Sequence, residues 1–499
     1  MAEAPGPLAP YRVLDLTDHR GSLCGKILAD LGADVVKVEP PEGSPARRVG
    51  SFCRDVEDPE RSLHWWAYGV NCRSLVLDFT VPEGRARLLE LVLAADFLLE
   101  SFPPGRLDRL NLGWSTLHRQ NPRLIVTSVT PFGGDGPYRD FKGPDLVLQA
   151  MGGMMHQIGD RDRPPVRIGT SQAFLHAAGQ ATVGTLVAHF WRERTGLGQR
   201  VEVSGQVAMM WTMMSETGFP VLQGYDPFRD GVQTRYASLR RRMIFPCRDG
   251  FVVLIAAGGA VGGRMLEALT AWMAEERMAP EFLRGRDWKS WDASYLLAAG
   301  AKGQAEIDLV TDAVAAFVRR KTKAELYDGA VARGLLLAPV ANTADVLGDP
   351  QLAARKFFES FPEPRLGREV IHPGPFARLS ATPIRLIRPA PTIGEHTEEV
   401  LREWLGQGGQ ASPGARAVAP PGSPGMDLPF EGLRVIDFSW LAATPITGRL
   451  LAEFGADVIR VESALRIDPG RTLPPWPERK SGPDRSQLFA NYNASKRSV

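Results

Sequence analysis

The residues that could begin covalent chemistry lie in the run TSQAFLHAAGQ, which starts at residue 170 after the turn PPVRIG. Ser171 could act as a nucleophile with His176 as its base, because a hydroxyl needs a neighbouring base to be activated. Such a base is normally oriented by an acid, and no acidic residue occurs between Asp162 and Glu193. The run therefore does not predict a serine nucleophile.

A second run with possible chemistry is GGAVGG at 258–263, between the apolar stretch FVVLIAA and a helical pattern. Glycines between a strand and a helix can hold a phosphate with backbone amides. The dinucleotide fingerprint needs glycine where Ala260 stands, and no Walker lysine follows. We interpret the run as a strand-to-helix turn.

Composition and charge exclude several classes of protein. The chain has 499 residues, of which 44% are hydrophobic and 23% charged, which is typical of roughly three globular domains. The net charge of +2 is too small for general attraction to nucleic acids or membranes, so any anion site must be local. The four cysteines form no C-x-x-C pair, which favours neither a disulfide framework nor a metal site. We expect no metal, nucleic-acid partner or membrane partner.

The sequence contains neither the features of a signal peptide nor an apolar run of the roughly 20 residues that span a bilayer. Its start, MAEAPGPLAP, lacks a charged region followed by an apolar one. These features and the cysteine usage predict a cytoplasmic protein.

The elements that would position a site follow an alternating pattern. RVLDLT at 12–17 precedes a helical pattern from about Leu23 to Leu31 and a second apolar run, ADVVKVE. A helical stretch at 83–94 leads into FLLE, and LHRQ leads into LIVTSV. This alternation predicts an α/β fold with a doubly wound parallel sheet, whose ligands bind at the carboxyl ends of the strands.

The pattern changes along the chain and predicts a second domain. Residues 9–204 form the first part of the large domain, and 205–335, with long amphipathic runs, form a smaller α+β domain. A strand at 335–342 is expected to open the return to the large domain, which occupies 336–406 and closes with a helix at 396–406.

The chain also repeats its own beginning. RVLDLT returns as RVIDFS at 434–439, and LADLGADVVKVE returns as LAEFGADVIRVE at 451–462. Arg73–Leu75 match the last three residues, Arg497–Val499. Residues 430–499 are therefore predicted to be the truncated start of a second copy, after a Gly, Pro, Ala and Ser-rich flexible linker at 407–429.

Seven motifs in order resemble the class III CoA-transferase superfamily, to which formyl-CoA transferase and α-methylacyl-CoA racemase belong. They cover most of 9–406, and the resemblance restarts at 432. The motifs are LGADVVKVEPPEG, ADFLLESFPPGRLDRLNLGW, NPRLIVTSVTPFGGDGP, RERTGLGQRVEV, FPCRDG, DPQLAARKFF and PAPTIGEHTEEVL. The resemblance implies a Rossmann-like large domain built from both ends of the copy, a small domain, and dimers whose chains interlock.

The resemblance also implies a CoA-binding surface, because CoA offers phosphates to cations and an adenine to apolar or aromatic walls. Three positions depart from the family pattern, namely Pro40, Ser101 and Pro103. The implied CoA-binding residues are Leu77, Thr80, Ser101, Phe102, Arg109, Lys142 and Asp145.

In the transferases that the sequence resembles, an aspartate attacks the acyl-CoA thioester and carries the acyl group and then CoA. Gly169 of PVRIG and Gly184, expected to open the helix that ends in RERT, both place this nucleophile at residue 174. Residue 174 is Phe174, and Pro144 stands where the racemase would need a histidine. We therefore expect no catalytic residue in the first copy.

The resemblance implies a CoA-transferase that moves CoA between carboxylic acids, using acyl-CoA and a small acid as substrates and no prosthetic group. The second copy, in the same chain or a homodimer, is the expected partner and the expected carrier of the aspartate, so the fragment alone should be inactive. The alternatives are a non-catalytic CoA-binding or scaffold half and an acyl-CoA isomerase or lyase on the same scaffold.

Overall fold

The opening βαβ pattern forms part of a six-stranded parallel sheet. The computed structural model describes residues 5–236, 238–256, 258–406, 427–480 and 482–499. The order is β3-β2-β1-β4-β5-β6, which confirms the predicted Rossmann-like, doubly wound arrangement. The strands are β1 (Arg12–Asp15), β2 (Asp34–Glu39), β3 (Arg73–Val76), β4 (Phe97–Glu100), β5 (Ile125–Thr130) and β6 (Arg200–Ser204).

The helices of this part of the chain mostly lie between consecutive strands. Gly184 lies inside the longest helix, which begins at Ala173, so the expectation that this glycine opens it is wrong. The helices are α1 (Ser22–Asp30), α2 (Leu63–Tyr68), α3 (Pro82–Ala94), α4 (Arg106–Arg109), α5 (Trp114–Gln120), α6 (Asp145–Met151), α7 (Ala173–Thr195), α8 (Gly205–Trp211) and α9 (Phe219–Gln223).

Helices cover both faces of the sheet because successive strand residues point to opposite sides. Val13 joins a core that includes Leu28 of α1 and Ala177 of α7. Leu14, the next residue of β1, joins a separate core that includes Leu88 of α3. Both faces are buried, so the strands are apolar without strict alternation.

The structure divides into two compact units, and the second contains 156–166 and 228–355. The first contains the described residues of 1–155, 167–227 and 356–499, so 205–227, which were predicted to belong to the small domain, lie in the first unit. The second unit contains β7 (Gln233–Tyr236), β8 (Leu239–Arg242), β9 (Ile244–Cys247), β10 (Gly250–Leu254), α10 (Gly259–Glu275), α11 (Ala293–Ala298), α12 (Ala301–Val318), α13 (Lys323–Arg333), β11 (Leu337–Pro339), α14 (Thr343–Leu347) and α15 (Pro350–Ala354).

The expected return strand belongs to this second unit. β11 pairs antiparallel with β10, from Val252 opposite Pro339 to Leu254 opposite Leu337. The sequence pattern identified the strand but not its neighbour, because pairing depends on contacts distant in sequence. The chain returns to the first unit at Lys356 rather than at residue 336.

The returning chain forms β12 (Phe358–Glu363), β13 (Arg368–Pro373) and α16 (Thr397–Leu405). The Pro391 carbonyl accepts hydrogen bonds from Trp65 Nε1 at 2.9 Å and Arg47 Nη2 at 3.0 Å. Val400 of α16 joins the Leu14 core. Both ends of residues 9–406 therefore contribute to the first unit, whereas the predicted linker falls largely on 407–426, outside the described residues.

Residues 430–499, called the C-terminal segment here, contain β14 (Arg434–Asp437), α17 (Ala443–Glu453), β15 (Asp457–Arg460), α18 (Gln487–Tyr492) and β16 (Arg497–Ser498). The three strands are parallel in the order β14-β15-β16. This is also the order of β1, β2 and β3, in the part of the chain whose sequence matches this segment.

Equivalent side-chain contacts occur within each of the two matching stretches. Arg47 pairs with Glu39, and its guanidinium carbon lies 3.8 Å from the centre of the Trp65 ring. Arg471 pairs with Glu462 and lies at the same distance, 3.8 Å, from the Phe489 ring. The similarity in sequence is thus accompanied by similar pairing of side chains.

The C-terminal segment packs against helices of the first unit. Arg194 of α7 donates hydrogen bonds to the carbonyl oxygens of Pro429 and Glu431, both at 2.8 Å. Asn491 of α18 donates to the Met214 carbonyl, also at 2.8 Å.

Among the described helices, none is long and apolar enough to cross a membrane.

Candidate functional site

A cavity of about 530 Å³ lies where β1, β2, β3 and β4 end. It is lined by residues 16–18, 20, 38, 40–42, 44–45, 77–80, 101–103 and 106, and is called the switch-point cavity here. The sheet order reverses between β1 and β4, and such reversals create the crevice where open α/β sheets bind ligands. Its volume suits a small-molecule ligand.

Four of the seven predicted CoA-binding residues line the switch-point cavity. They are Leu77 and Thr80, after β3, and Ser101 and Phe102, after β4. These positions come together because the carboxyl ends of parallel strands share one edge of the sheet.

The other three predicted residues lie elsewhere in the described chain. Arg109 is exposed at the end of α4, and Lys142 is exposed in the loop before α6. Asp145 accepts hydrogen bonds from the backbone amides of Gln172 and Ala173, both at 2.8 Å. It therefore caps the beginning of α7.

Ser101 fixes the loop across the strand reversal. Its hydroxyl donates to Asp18 Oδ1 and accepts from the Asp18 amide, both at 3.0 Å. Arg20 holds the same carboxylate through Nε and Nη2. Burial raises the pKa of Asp18, but the hydrogen bonds and charge of Arg20 outweigh it and bring the pKa below its usual range. The side chain is thus an ionised structural group.

Phe102 provides an aromatic wall with a cation beside it. Its ring packs edge to face against Phe79, with centroids 5.8 Å apart. The guanidinium carbon of Arg106 lies 4.9 Å from the Phe102 ring centre, and no carboxylate of the described residues forms an ion pair with Arg106. Arg106 is exposed and available to an anionic ligand.

Arg106, Asp18 and Arg20 line the cavity but were not predicted from the sequence, although the signals were present. Arg106 belongs to the quoted motif SFPPGRLDRL, and the triplet Asp18–Arg20 follows directly after the first strand. The choice between Arg106 and Arg109 depends on which face of a short helix meets the cavity, and the pattern does not determine that face.

Phe174 occupies the second position of α7 and is buried. It lies in the core that contains Leu148 of α6, and its ring meets His19 edge to face with centroids 6.1 Å apart. Burial, the largest effect, lowers the pKa of His19 despite the opposing charge of Asp18. The position therefore presents an apolar ring and a neutral imidazole.

His64 is a second histidine whose charge is suppressed. Burial lowers its pKa to about 4, with smaller effects from His19 and Lys37. Its Nε2 atom is buried without a hydrogen-bond partner in the described chain, and its ring lies 4.6 Å from that of Tyr68.

The other groups considered from the sequence do not form a site. Ser171 and His176 are both exposed, so neither is enclosed with a substrate. Gly258 immediately precedes α10, and a Cβ there would lie 1.9 Å from the Trp291 carbonyl oxygen, so close packing requires this glycine. Within the described ranges, no group of three or more His, Cys, Asp or Glu residues could hold a metal.

Comparisons with known proteins agree on one family. The model of CoA-transferase family III matches residues 8–397 and 430–499. The BbsE subunit of succinyl-CoA:(R)-benzylsuccinate CoA-transferase from Thauera aromatica is 34% identical, over 79% of this chain and 93% of that protein. Succinyl-CoA–D-citramalate CoA-transferase from Chloroflexus aurantiacus is also 34% identical, over 81% of this chain and 95% of its own length.

Solved structures give the same result. A CAIB/BAIF family protein from Brucella suis aligns with a TM-score of 0.66 and 26% identity. The alignment covers 80% of this chain and 100% of that protein.

Proposed function

The chain belongs to CoA-transferase family III, and from this premise we propose that it takes part in moving CoA between carboxylic acids. The convergence of Leu77, Thr80, Ser101 and Phe102 on the switch-point cavity carries the proposal. CoA or an acyl-CoA is the proposed ligand, as a substrate rather than a resident cofactor.

Each part of the cavity has a proposed role. Leu77 and Phe102 provide apolar and aromatic surface for the adenine. Arg106 provides a cation for a phosphate, and the exposed Arg109 and Lys142 extend this positive charge. The Asp18–Ser101 hydrogen bonds hold the two sides of the crevice in place, so that less order is lost when the ligand binds.

The nucleophile is proposed to lie outside the first copy. A phenyl ring can neither attack a thioester nor carry an acyl group, and Phe174 fills the position that the family pattern gives to an aspartate. The C-terminal segment, with its own Arg471–Glu462 pair and strand order, supports a second copy of the domain. We propose that a complete second copy carries the aspartate.

The cytoplasmic location stays a prediction from the sequence.

The relatives suggest substrates for testing. The names of both relatives include succinyl-CoA as the donor. We propose succinyl-CoA as the first donor to test, with small carboxylic acids as acceptors.

Acyl trapping tests where the chemistry occurs. The protein is incubated with succinyl-CoA and then hydroxylamine, which converts an acylated carboxylate into a hydroxamate, and the peptides are identified by mass spectrometry. We expect no hydroxamate in residues 165–192, and CoA exchange only in a protein with a complete second domain. A modified peptide from 165–192 would reveal a nucleophile that this proposal excludes.

A non-catalytic CoA-binding half is the second candidate, and the buried Phe174 favours it. The two functions differ when the second domain is complete. Transfer from succinyl-CoA to an acid supports the first, whereas CoA binding without any exchange supports the second.

A further inference from the structure

Residues 101–106, called the β4 loop here, lie between two cavities. One is the switch-point cavity, and the other is a smaller cavity of about 60 Å³. Phe102, Pro103 and Arg106 line both of them. A loop with space on both sides makes fewer packing contacts, because atoms that line a cavity lack partners on that side. The position of the β4 loop therefore depends strongly on its hydrogen bonds.

Glu100, the last residue of β4, makes one of these hydrogen bonds. Its Oε2 atom accepts from the Phe102 amide at 2.7 Å. Pro103 and Pro104 follow and have no amide hydrogen, so the Phe102 amide is the last backbone donor before Gly105. The bond to Glu100 therefore fixes the backbone at the residue whose ring forms the aromatic wall.

The same hydrogen bond also influences Arg106. The Arg106 amide donates to the Pro103 carbonyl at 3.1 Å, and the Arg106 guanidinium carbon lies 4.9 Å from the centre of the Phe102 ring. A shift of the backbone at Phe102 would therefore move the aromatic wall and the cation together.

Glu100 is not retained for an ion pair. Its side chain is buried, with 8% of the residue exposed. The two cations whose charges act on it pair with other carboxylates, Arg20 with Asp18 and Arg200 with Glu202. The hydrogen bond to the β4 loop is therefore the contact that distinguishes this carboxylate.

The burial of Glu100 is unfavourable by itself. Burial raises the pKa of its carboxyl, and the Ser128 hydroxyl, the Phe102 amide and the charges of Arg200 and Arg20 oppose this effect only in part. Ser128 stands opposite Glu100 in the pairing of β5 with β4. A buried carboxyl group is tolerated where hydrogen bonds compensate for lost water, and here they come from the neighbouring strand and from the β4 loop.

We propose that Glu100 is a positioning residue for CoA, which holds the Phe102 amide and thereby keeps the Phe102 ring and the Arg106 guanidinium in place for the adenine and a phosphate. The inference rests on the proposed function, because it assigns a further residue to the same site. Glu100 is not among the described residues that line the switch-point cavity, so it acts through Phe102 rather than by touching the ligand.

Asp96 provides a matched control just before the other end of β4. It is also 8% exposed, and its Oδ2 atom accepts from the Arg12 amide at 3.0 Å. Glu100→Ala and Asp96→Ala each remove a buried carboxylate from a backbone amide. Both should therefore lower the free energy of unfolding measured in urea.

CoA binding separates the two variants. In titration calorimetry of the full chain with CoA, Glu100→Ala should weaken binding roughly fivefold or more, whereas Asp96→Ala should bind as tightly as the parent. Glu100→Gln keeps an oxygen that can accept from the Phe102 amide and should retain most of the affinity. Equal affinities of Glu100→Ala and the parent would overturn the proposal, and so would equal losses of affinity in Glu100→Ala and Asp96→Ala.

A double-mutant cycle tests whether Glu100 acts through Phe102. Adding Glu100→Ala to Phe102→Ala should weaken CoA binding by a smaller factor than Glu100→Ala does in the parent, because the ring that it positions is already absent. The same factor in both backgrounds would contradict a positioning role.

Hydrogen exchange without CoA examines the β4 loop directly. Glu100→Ala should speed exchange in residues 101–106, whereas Asp96→Ala should not, and unchanged exchange in Glu100→Ala would also overturn the proposal. A parent protein that does not bind CoA would overturn the proposed function and this inference with it. A parent that binds CoA no more tightly than Glu100→Ala would overturn this inference alone.

Discussion

The Lys37 ammonium contacts the Asp15 carboxylate at 2.5 Å, across two neighbouring parallel strands, and both side chains are almost completely buried. In the C-terminal segment, Asp437 is the counterpart of Asp15, and it contacts Lys496 at 2.8 Å. Lys496 precedes β16 and corresponds in the repeat to Cys72, which is also buried. The lysine that contacts the aspartate of the first strand therefore lies on the second strand in one stretch and just before the third strand in the other.

Because the lysine occupies a different position in each stretch, moving it from residue 37 to residue 72 should preserve much of the protein's stability. Lys37→Met should destabilise the protein by about 3–5 kcal/mol, because it leaves the buried Asp15 carboxylate unpaired. Adding Cys72→Lys to Lys37→Met should recover a large part of the loss, measured by urea unfolding. Cys72→Lys alone should destabilise, since it brings a second buried cation beside Lys37. Failure of the double variant to recover stability would contradict the equivalence.

The Arg47–Glu39 pair should behave in the same way. Both side chains are fully buried, so Arg47→Met leaves a charge without its partner and should cost about 3–5 kcal/mol of unfolding free energy. The double variant with Arg47→Met and Glu39→Gln should lose less unfolding free energy than Arg47→Met alone. The control is Arg87→Met, which breaks an exposed pair with Glu90 and should change stability by less than about 1 kcal/mol. Equal losses of unfolding free energy in Arg47→Met and Arg87→Met would refute the prediction.

His64 predicts a specific dependence on pH. Its pKa of about 4 lies below the ordinary value of 6.5, so the unfolded chain binds the proton more tightly. The free energy of unfolding therefore includes a contribution from neutral His64 that is fully present above about pH 6.5. This contribution is lost as the pH falls towards 4. The difference in unfolding free energy between His64→Phe and the parent should therefore shift in favour of the variant as the pH is lowered from 7.5 to 4. The expected shift is on the order of 2 kcal/mol. A difference that does not change with pH would disprove the assignment.

Arg106 should bind a phosphate of CoA. Arg106→Ala is expected to weaken CoA binding roughly fivefold or more and to reduce its dependence on salt, because one charge-assisted hydrogen bond is lost. Arg87→Ala, which removes an arginine paired with Glu90 on α3, is the matched control and should leave CoA affinity unchanged. Titration calorimetry at two salt concentrations measures both effects. Equal affinities in the two variants would remove Arg106 from the site.

The sequence predicted what depends on local pattern. The helix expected at 83–94 is Pro82–Ala94, and the position of the cavity followed from the alternation of strands and helices. The start of α7 was not predictable in this way, because Asp145 caps it from a distant part of the chain. The neighbour of β11 depends on tertiary packing for the same reason.

The most direct test of a CoA site at the strand reversal is hydrogen exchange with and without CoA at a saturating concentration. We predict slower exchange in residues 16–20, 77–80 and 101–106, which line or adjoin the switch-point cavity, and no change in 258–263. Unchanged exchange in those three stretches at millimolar CoA, or protection confined to other elements, would contradict the account.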